Sequence, residues 1–561
     1  MERGVLFEVE TGDWPGPSVR PCARQTRKAW QKPPPKAEVA SLAGESVERA
    51  SGPESVMKTT TRRAFLGELG RGVGGTALGV ALAERLGWAE KLWLPSERLR
   101  FGRLDSLVDL QQATPADELL GQLVKELRSG TSLSDVVAAG ALANARAYGG
   151  TNYDGYHALM AMIPSFEMAA QMPAPYAALP VLKVLHRNAR FLQESGRASV
   201  DALEPLEAAD GTGDLVQSVR ARDLSAAERS LAALEPASHA RAYEELQTVV
   251  RDEMNVHRVV LSWRAYDLLR LTNQKHALTL LRQSVRFCID EDNHRVDRGQ
   301  APNPIRELLP RLLEEHRLAE RERGNRAADE PWIESLADTV FSAERAAAAG
   351  AVAAALAEGF DPEDVGAALS LAATRLLLND AGTTTDGKGK PVGSVHGASV
   401  GVHASDAVNA WRHIARVGSA RNAFASLIAG AYHTAGQSGL VGAQPHDADG
   451  KAREEQDPAA LLDEIEHRIR ERDQTGACQA ARRYCALGHA PAELFARLLA
   501  FAVSEDGALH AEKYFLTAQE EHGRARPGHR AHYLVALTRV QASQFGFPAP
   551  GCEEARKLLA S

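Results

Sequence analysis

Cysteine is scarce in this chain, with five in 561 residues and none in a CxxC or CxxCH arrangement. That removes the main support for a zinc ribbon, a thioredoxin-like redox centre or a c-type haem. Cys22 falls in an N-terminal leader, leaving Cys288, Cys478, Cys485 and Cys552. On one helix, Cys478 and Cys485 would share a face about 10 Å apart along the axis. An unstrained disulfide cannot bridge that gap, so buried thiols are expected. HEXXH and Walker sequences are absent, and no glycine-rich nucleotide fingerprint follows an expected strand. An excess of positive charge is missing too. The net charge is −8, and beyond residue 89 there are 52 basic against 63 acidic side chains. So acidic a body argues against a nucleic-acid partner, which needs a basic face for phosphates, and against docking on an anionic membrane. After residue 89 no apolar run approaches the roughly 20 residues that span a bilayer. A soluble protein with no stable membrane span is expected.

What the chain does contain is a twin-arginine motif, Thr61-Arg62-Arg63-Ala64-Phe65-Leu66-Gly67, followed by the weakly apolar run Gly72–Ala83. A small-residue cleavage site is plausible near Leu86-Gly87-Trp88-Ala89. Such a signal is an address read by a receptor, not an anchor. It identifies the chain as resembling a twin-arginine-signal exported family, and implies the twin-arginine export machinery as a partner and a periplasmic or otherwise exported location. Met57 lies just ahead of the motif and reads as the true start. Residues 1–56, rich in Pro, Arg, Ser and Glu, read as a disordered leader or a misassigned start; residues 57–89 read as the signal peptide.

Ala, Leu, Arg and Glu dominate the rest, and alternating β-branched runs are few, which predicts an all-α fold. Helix starts are expected at Ser132-Leu133-Ser134-Asp135 and Asp361-Pro362-Glu363-Asp364. The segments they open resemble each other: 132–148 matches 361–377 at a shift of 229 residues. Three further matches follow in the same order: 176–189 with 424–436, 219–234 with 469–484, and 280–292 with 494–506, at shifts of 247, 250 and 214. These predict an internal duplication into two homologous helical halves, 115–300 and 335–520, with a C-terminal helical segment 521–561. Matched helices would face each other across a pseudo-twofold axis, with room for a site between them.

Histidines are the candidates for chemistry. His396, His403, Asp406 and His413 are spaced 7, 3 and 7 apart, one stripe if the segment is a single helix. Gly397 and Gly401 lower helix propensity, so the helix is expected to begin only near Gly401. A Gly/Thr/Lys-rich loop, 381–394, precedes it and has no counterpart in the first half. The first half offers His157 and His186, and matching the halves pairs His157 with His403 and His186 with His433. Two to four neutral imidazoles suit iron, zinc or copper. Each histidine taken alone also fits a hydrogen-bonded core or surface role. Asp406 is the candidate to orient a ligand or accept a proton. Glu464-Ile465-Glu466-His467 has di-iron ExxH spacing, but it occurs once among arginines and reads as a solvated helix face. The cluster from Ser504 to Tyr514, with His510, fits a site lining or a helix terminus equally. The segment from His257 to Asp267 reads as a buried helix lining the same cavity.

Tyr156-His157-Ala158-Leu159-Met160 and Val402-His403-Ala404-Ser405-Asp406-Ala407, each with the helix that follows, resemble segments of the questin oxidase-like proteins. Ser405-Asp406 stands where that family would have Val-Thr, and its members are not typically exported. The resemblance implies a histidine-bound metal, iron or another transition metal, and an oxidative role with O₂, with His157 and His403 the transferable residues. One functional expectation is therefore a metal-dependent oxidoreductase, or a hydrolase, built on His157 and His403 with His186, His433 or His396. The alternative is a non-catalytic helical scaffold or binding protein of the cell envelope whose histidines are structural.

Overall fold

The computed structural model describes residues 98–206, 214–234, 238–384, 391–397, 399–442, 445–446 and 457–561. The leader 1–56, the twin-arginine segment 57–89 and residues 385–390 of the Gly/Thr/Lys-rich loop lie outside them. Among the described residues there are 22 α-helices, five short 3₁₀ turns and no strand, only the isolated bridges Arg326–Phe360 and Glu505–Pro548. The protein is all-α, as its composition predicts. No described helix is long and apolar enough to cross a membrane.

The first eleven helices are α1 (Asp105–Ala113), α2 (Ala116–Arg128), α3 (Leu133–Tyr148), α4 (Tyr153–Ala169), α5 (Leu179–Glu194), α6 (Leu215–Arg220), α7 (Leu224–Leu234), α8 (His239–Val250), α9 (Val256–Asp267), α10 (Ala277–Asp297) and α11 (Ile305–Glu315). The second eleven are α12 (Glu330–Ser342), α13 (Arg345–Ala357), α14 (Pro362–Asn379), α15 (Val400–Val417), α16 (Ala420–Thr434), α17 (Pro458–Arg470), α18 (Gln474–Ala486), α19 (Pro491–Ser504), α20 (His510–Arg524), α21 (Arg530–Gln544) and α22 (Cys552–Ala560). Both expected starts are capped by the residues that announced them. Ser132 Oγ accepts from Asp135 N at 3.1 Å, and Asp361 Oδ1 from Glu363 N at 2.9 Å. The turns α6–α7 and α17–α18 share their chemistry. Arg222 and Arg472 both sit in the left-handed region (φ +61° and +59°), and the carboxylates that follow, Asp223 and Asp473, accept from Ala226 N and Gly476 N at 2.9 and 2.8 Å.

Most helix neighbour relations are met again eleven helices later. Helix α3 packs on α1, α4, α5 and α10; α14 packs on α12, α15, α16 and α21. Helix α10 gathers α6, α7, α8 and α9, and α21 gathers α17, α18, α19 and α20. Contacts also cross between the two successions. Helix α11 lies on α13 and α16 while α22 lies on α2 and α5, and α9 packs on α15 while α20 packs on α4. Three of the four sequence matches fall on helices that correspond in this order. The fourth does not: it aligns α10 with α19, whereas α19 occupies the place of α8. The tail 521–561, expected as a separate segment, carries α21 and α22 and belongs within the second succession.

The close packing of α4 and α15 on their predecessors depends on two glycines. A Cβ on Gly401 would stand 2.1 Å from Leu377 Cα, and one on Gly155 would stand 2.4 Å from the Tyr148 ring. Tyr148 and Leu377 are matched residues of α3 and α14. At Gly401 the obstacle is backbone, which cannot turn aside, so Gly401→Ala should cost about 3 kcal/mol. A urea unfolding midpoint unchanged by this substitution would contradict the close approach. Gly155→Ala should cost less, because a ring can tilt.

Candidate metal centre

Helices α4, α9, α15 and α20 form a closed ring in which each packs on the next: α4 on α9, α9 on α15, α15 on α20, and α20 on α4. Each carries a histidine within its first five residues. Asn152 opens α4 by accepting from Asp154 N and Gly155 N at 3.0 and 3.1 Å, and His157 is the fifth residue. Asn255 opens α9 by accepting from His257 N at 2.8 Å. Ser399 opens α15 by accepting from Val402 N at 3.0 Å, and His403 is its fourth residue. Helix α20 begins with His510 itself, after two consecutive left-handed non-glycine residues, Ala508 (φ +51°) and Leu509 (φ +64°). That turn costs roughly 1–3 kcal/mol per residue, and its product is the placement of the Ala508 carbonyl 3.0 Å from His510 Nδ1.

The four imidazoles converge. Ligand atoms of His157, His257 and His510 all lie within 4.8 Å of one another, and His403 Nε2 lies 3.2 Å from His510 Nε2. Two nitrogens each about 2.0–2.1 Å from one ion at a tetrahedral angle stand about 3.3–3.4 Å apart, close to the spacing seen. The outer nitrogens are held as metal ligands require. His157 Nδ1 is 2.7 Å from the Tyr153 carbonyl and His510 Nδ1 faces that of Ala508. A carbonyl only accepts, so both Nδ1 atoms carry the proton and both Nε2 atoms present lone pairs. The Nε2 atoms of His157 and His257 are buried without a hydrogen-bond partner. Unpaired buried acceptors are costly, which leaves a coordinating ion as the natural partner.

All three imidazoles of the triad are kept neutral. Burial is the first cause in each, aided by the Lys513 ammonium and the other histidines. It lowers His257 to about 2 and holds His157 and His510 well below 6.5. Lys513 is itself buried, which pushes its ammonium down to about 8 against the pull of Asp406 and Glu512. Four helix N-termini and an ammonium nearby disfavour a cation by about 0.3–1 kcal/mol each. Structural zinc sites gain about 10–16 kcal/mol from coordination, far more than these terms, so the set could hold a divalent ion.

The site is reachable. His257 and His403, the less buried pair, line a cavity of about 440 Å³ together with Glu253, Glu291, Arg345 and His433. A second cavity of about 380 Å³ shares Glu253, Asn255 and Glu291 with it and adds the rings of Tyr153, Tyr156 and Phe287. Tyr153 lies on the His157 ring with centroids 4.1 Å apart, and Tyr156 lies 5.3 Å from His257. One side of the cluster therefore faces an aromatic and acidic opening, while His157 and His510 close the other side.

Of the residues singled out in the sequence, the structure brings His157 and His403 into this cluster. His433 lines the same cavity, but its Nδ1 faces Trp411 Nε1 at 3.4 Å. His186 packs on Gly551 at the start of α22. His396 precedes α15, bonded through Nδ1 to Ser543 Oγ at 2.9 Å and flanked by Phe547. His186 and His396 are thus not placed with the four, because α5 faces α22 and the helix starts after Gly397. Asp406 is buried one turn beyond His403 and accepts from Thr517 Oγ1 at 2.8 Å, a hydroxyl rather than an imidazole; burial raises its carboxyl. Glu464 and Glu466 pair with arginines. His257 and His510, named in the sequence only as parts of neighbouring segments, turn out to be members of the triad.

These features define a class: an all-α protein with a buried, neutral, all-imidazole centre at the meeting of four helix N-termini, of a kind that could hold a metal ion. Comparison of the chain with family models, curated proteins and solved structures finds no match.

Proposed function

We propose that the chain is an exported metalloenzyme, an oxidoreductase whose redox-capable transition metal, iron or copper, is held by His157, His257 and His510 with His403 as the fourth imidazole. The observations that carry this reading are the buried, unpartnered Nε2 atoms of His157 and His257 within the close triad with His510, and the Nδ1–H groups of His157 and His510 held by backbone carbonyls. Imidazole-only sets suit iron, copper and zinc. When bound, the ion would supply electron exchange with O₂ or polarisation of a bound ligand. The chain's own residues do the rest. Tyr153, Tyr156 and Phe287 offer faces on which an aromatic substrate can stack, Glu253 and Glu291 line its way in, and closure by His157 and His510 keeps bulk water from the rear. The twin-arginine motif supports export of the folded chain.

The recurrence of helix neighbours supports an internal duplication, α1–α11 and α12–α22, with the centre on its pseudo-twofold axis. His157 then corresponds to His403, and His257 to His510. Elemental analysis of the purified chain tests the reading directly. About one equivalent of iron or copper per chain is expected; one of zinc would move the chemistry to hydrolysis, and less than about 0.1 of any transition metal would leave the histidines a structural role.

A further inference from the structure

We propose that the cleft between α6, α8, α11 and α16, which none of the four histidines lines, binds a small organic anion, its carboxylate on Arg251 and its apolar body along α11. The proposal is independent of the metal reading. The cleft has a volume of about 500 Å³, within the usual range for small-molecule sites. Arg251, at the C-terminus of α8, is only 7% exposed, and its Nη1 is buried with no hydrogen-bond partner. The neighbouring carboxylates are committed elsewhere. Glu244 accepts from Ser419 and Asn422, and Asp252 is taken by Arg220 through both oxygens, at 2.8 and 2.9 Å. They pull on Arg251 only from a distance. Burial pushes its guanidinium down to about 10, still protonated at neutral pH.

Other buried arginines show what a satisfied one looks like here. Arg258 donates to the Val249 carbonyl at 2.6 Å and to Asp292 at 3.2 Å, and Arg282 holds Glu228 through two bonds of 3.1 Å. A buried guanidinium without such a partner is expensive, and the ligand that relieves it is an oxyanion matching its fork. Arg421, exposed at the rim, adds a second positive group, while Glu245 on the same rim disfavours a multiply charged anion. Ile305, Leu309 and Leu313, all buried, supply an apolar wall that an inorganic anion would leave unused. A monoanion with a short hydrocarbon body uses both halves of the cleft.

The test titrates the full chain calorimetrically with octanoate, octanol and inorganic phosphate. Octanoate should bind, and octanol and phosphate should each bind at least tenfold more weakly. Arg251→Met should weaken octanoate at least tenfold and, because it deletes an unpaired buried charge, should raise the melting temperature of the ligand-free chain by about 1 °C or more. His510→Ala should leave octanoate binding unchanged, which separates this site from the metal centre. Failure of octanoate to bind at about 10 mM, equal binding of octanol, or unchanged binding in Arg251→Met would overturn the proposal. Phosphate binding as tightly as octanoate would overturn the apolar half. Should Arg251→Met fail to fold, the rim variant Arg421→Gln, expected to weaken octanoate about threefold, and the octanol comparison decide alone.

Discussion

Alanine in place of His510 is expected to strip the chain of its metal. His510 is the most connected of the four imidazoles: it belongs to the triad with His157 and His257 and stands 3.2 Å from His403 Nε2. Losing an outer partner of a ligand typically costs 10–100-fold in metal affinity, and losing the ligand itself should exceed about 100-fold. Metal content after purification should therefore fall from about one equivalent to below about 0.1, and any oxidative activity should go with it. The fold should survive, because the deleted ring leaves a small gap among polar imidazoles rather than a hole in an apolar core. His396→Ala and His186→Ala are the informative controls. Both remove histidines that the sequence offered as further ligands, yet His396 is held by Ser543 and His186 by the start of α22. Metal content should not change in either. A His510→Ala chain that keeps its metal, or a His396→Ala chain that loses it, would place the centre elsewhere.

The helical character of the chain, its capped starts and two of the four imidazoles were legible in the sequence, for local reasons. Ser132 and Asp361 act through their immediate neighbours, so their signals survive without knowledge of the fold. His257 and His510 did not stand out because they are joined only through packing. Around them VHRVVL and LHAEKY share nothing but the histidine, since α9 and α20 bury different neighbours. Yet a signal existed. The shift between matched segments climbs along the chain: 229 at α3, 246 for His157 and His403, 247 at α5 and 250 at α6–α7. His257 and His510 differ by 253 and continue that climb, whereas the match at 214 breaks it, and that match is the one the packing order contradicts. His396 misled for a different reason. Its spacing from His403 is helical, but Gly397 (φ +78°) lies in the left-handed region and the helix starts beyond it.

Acid should unfold the metal-free chain over a window set by these same histidines. In the unfolded chain a histidine takes up its proton as the pH falls through about 6.5. In the folded chain burial keeps His257 neutral down to about 2 and holds His157 and His510 well below 6.5. Below about 6.5 the unfolded state thus binds more protons than the folded one, so stability rises with pH within the window. It is fully present above 6.5 and is lost as the pH falls. The three histidines of the triad together contribute up to about 4 kcal/mol per pH unit. Urea midpoints measured at pH 7 and 5.5 should differ accordingly, and His257→Gln should remove about a third of the triad's share of that slope. With metal bound, the same burial makes a second prediction. Protons reach the folded imidazoles only far below 6.5, so acid should release the ion by unfolding the chain rather than by titrating the native site. Metal release and loss of helical circular dichroism should then follow one curve. Release near pH 6 from a chain that keeps its helicity would mean that the imidazoles are open to water, and that the ring of α4, α9, α15 and α20 does not seal the centre.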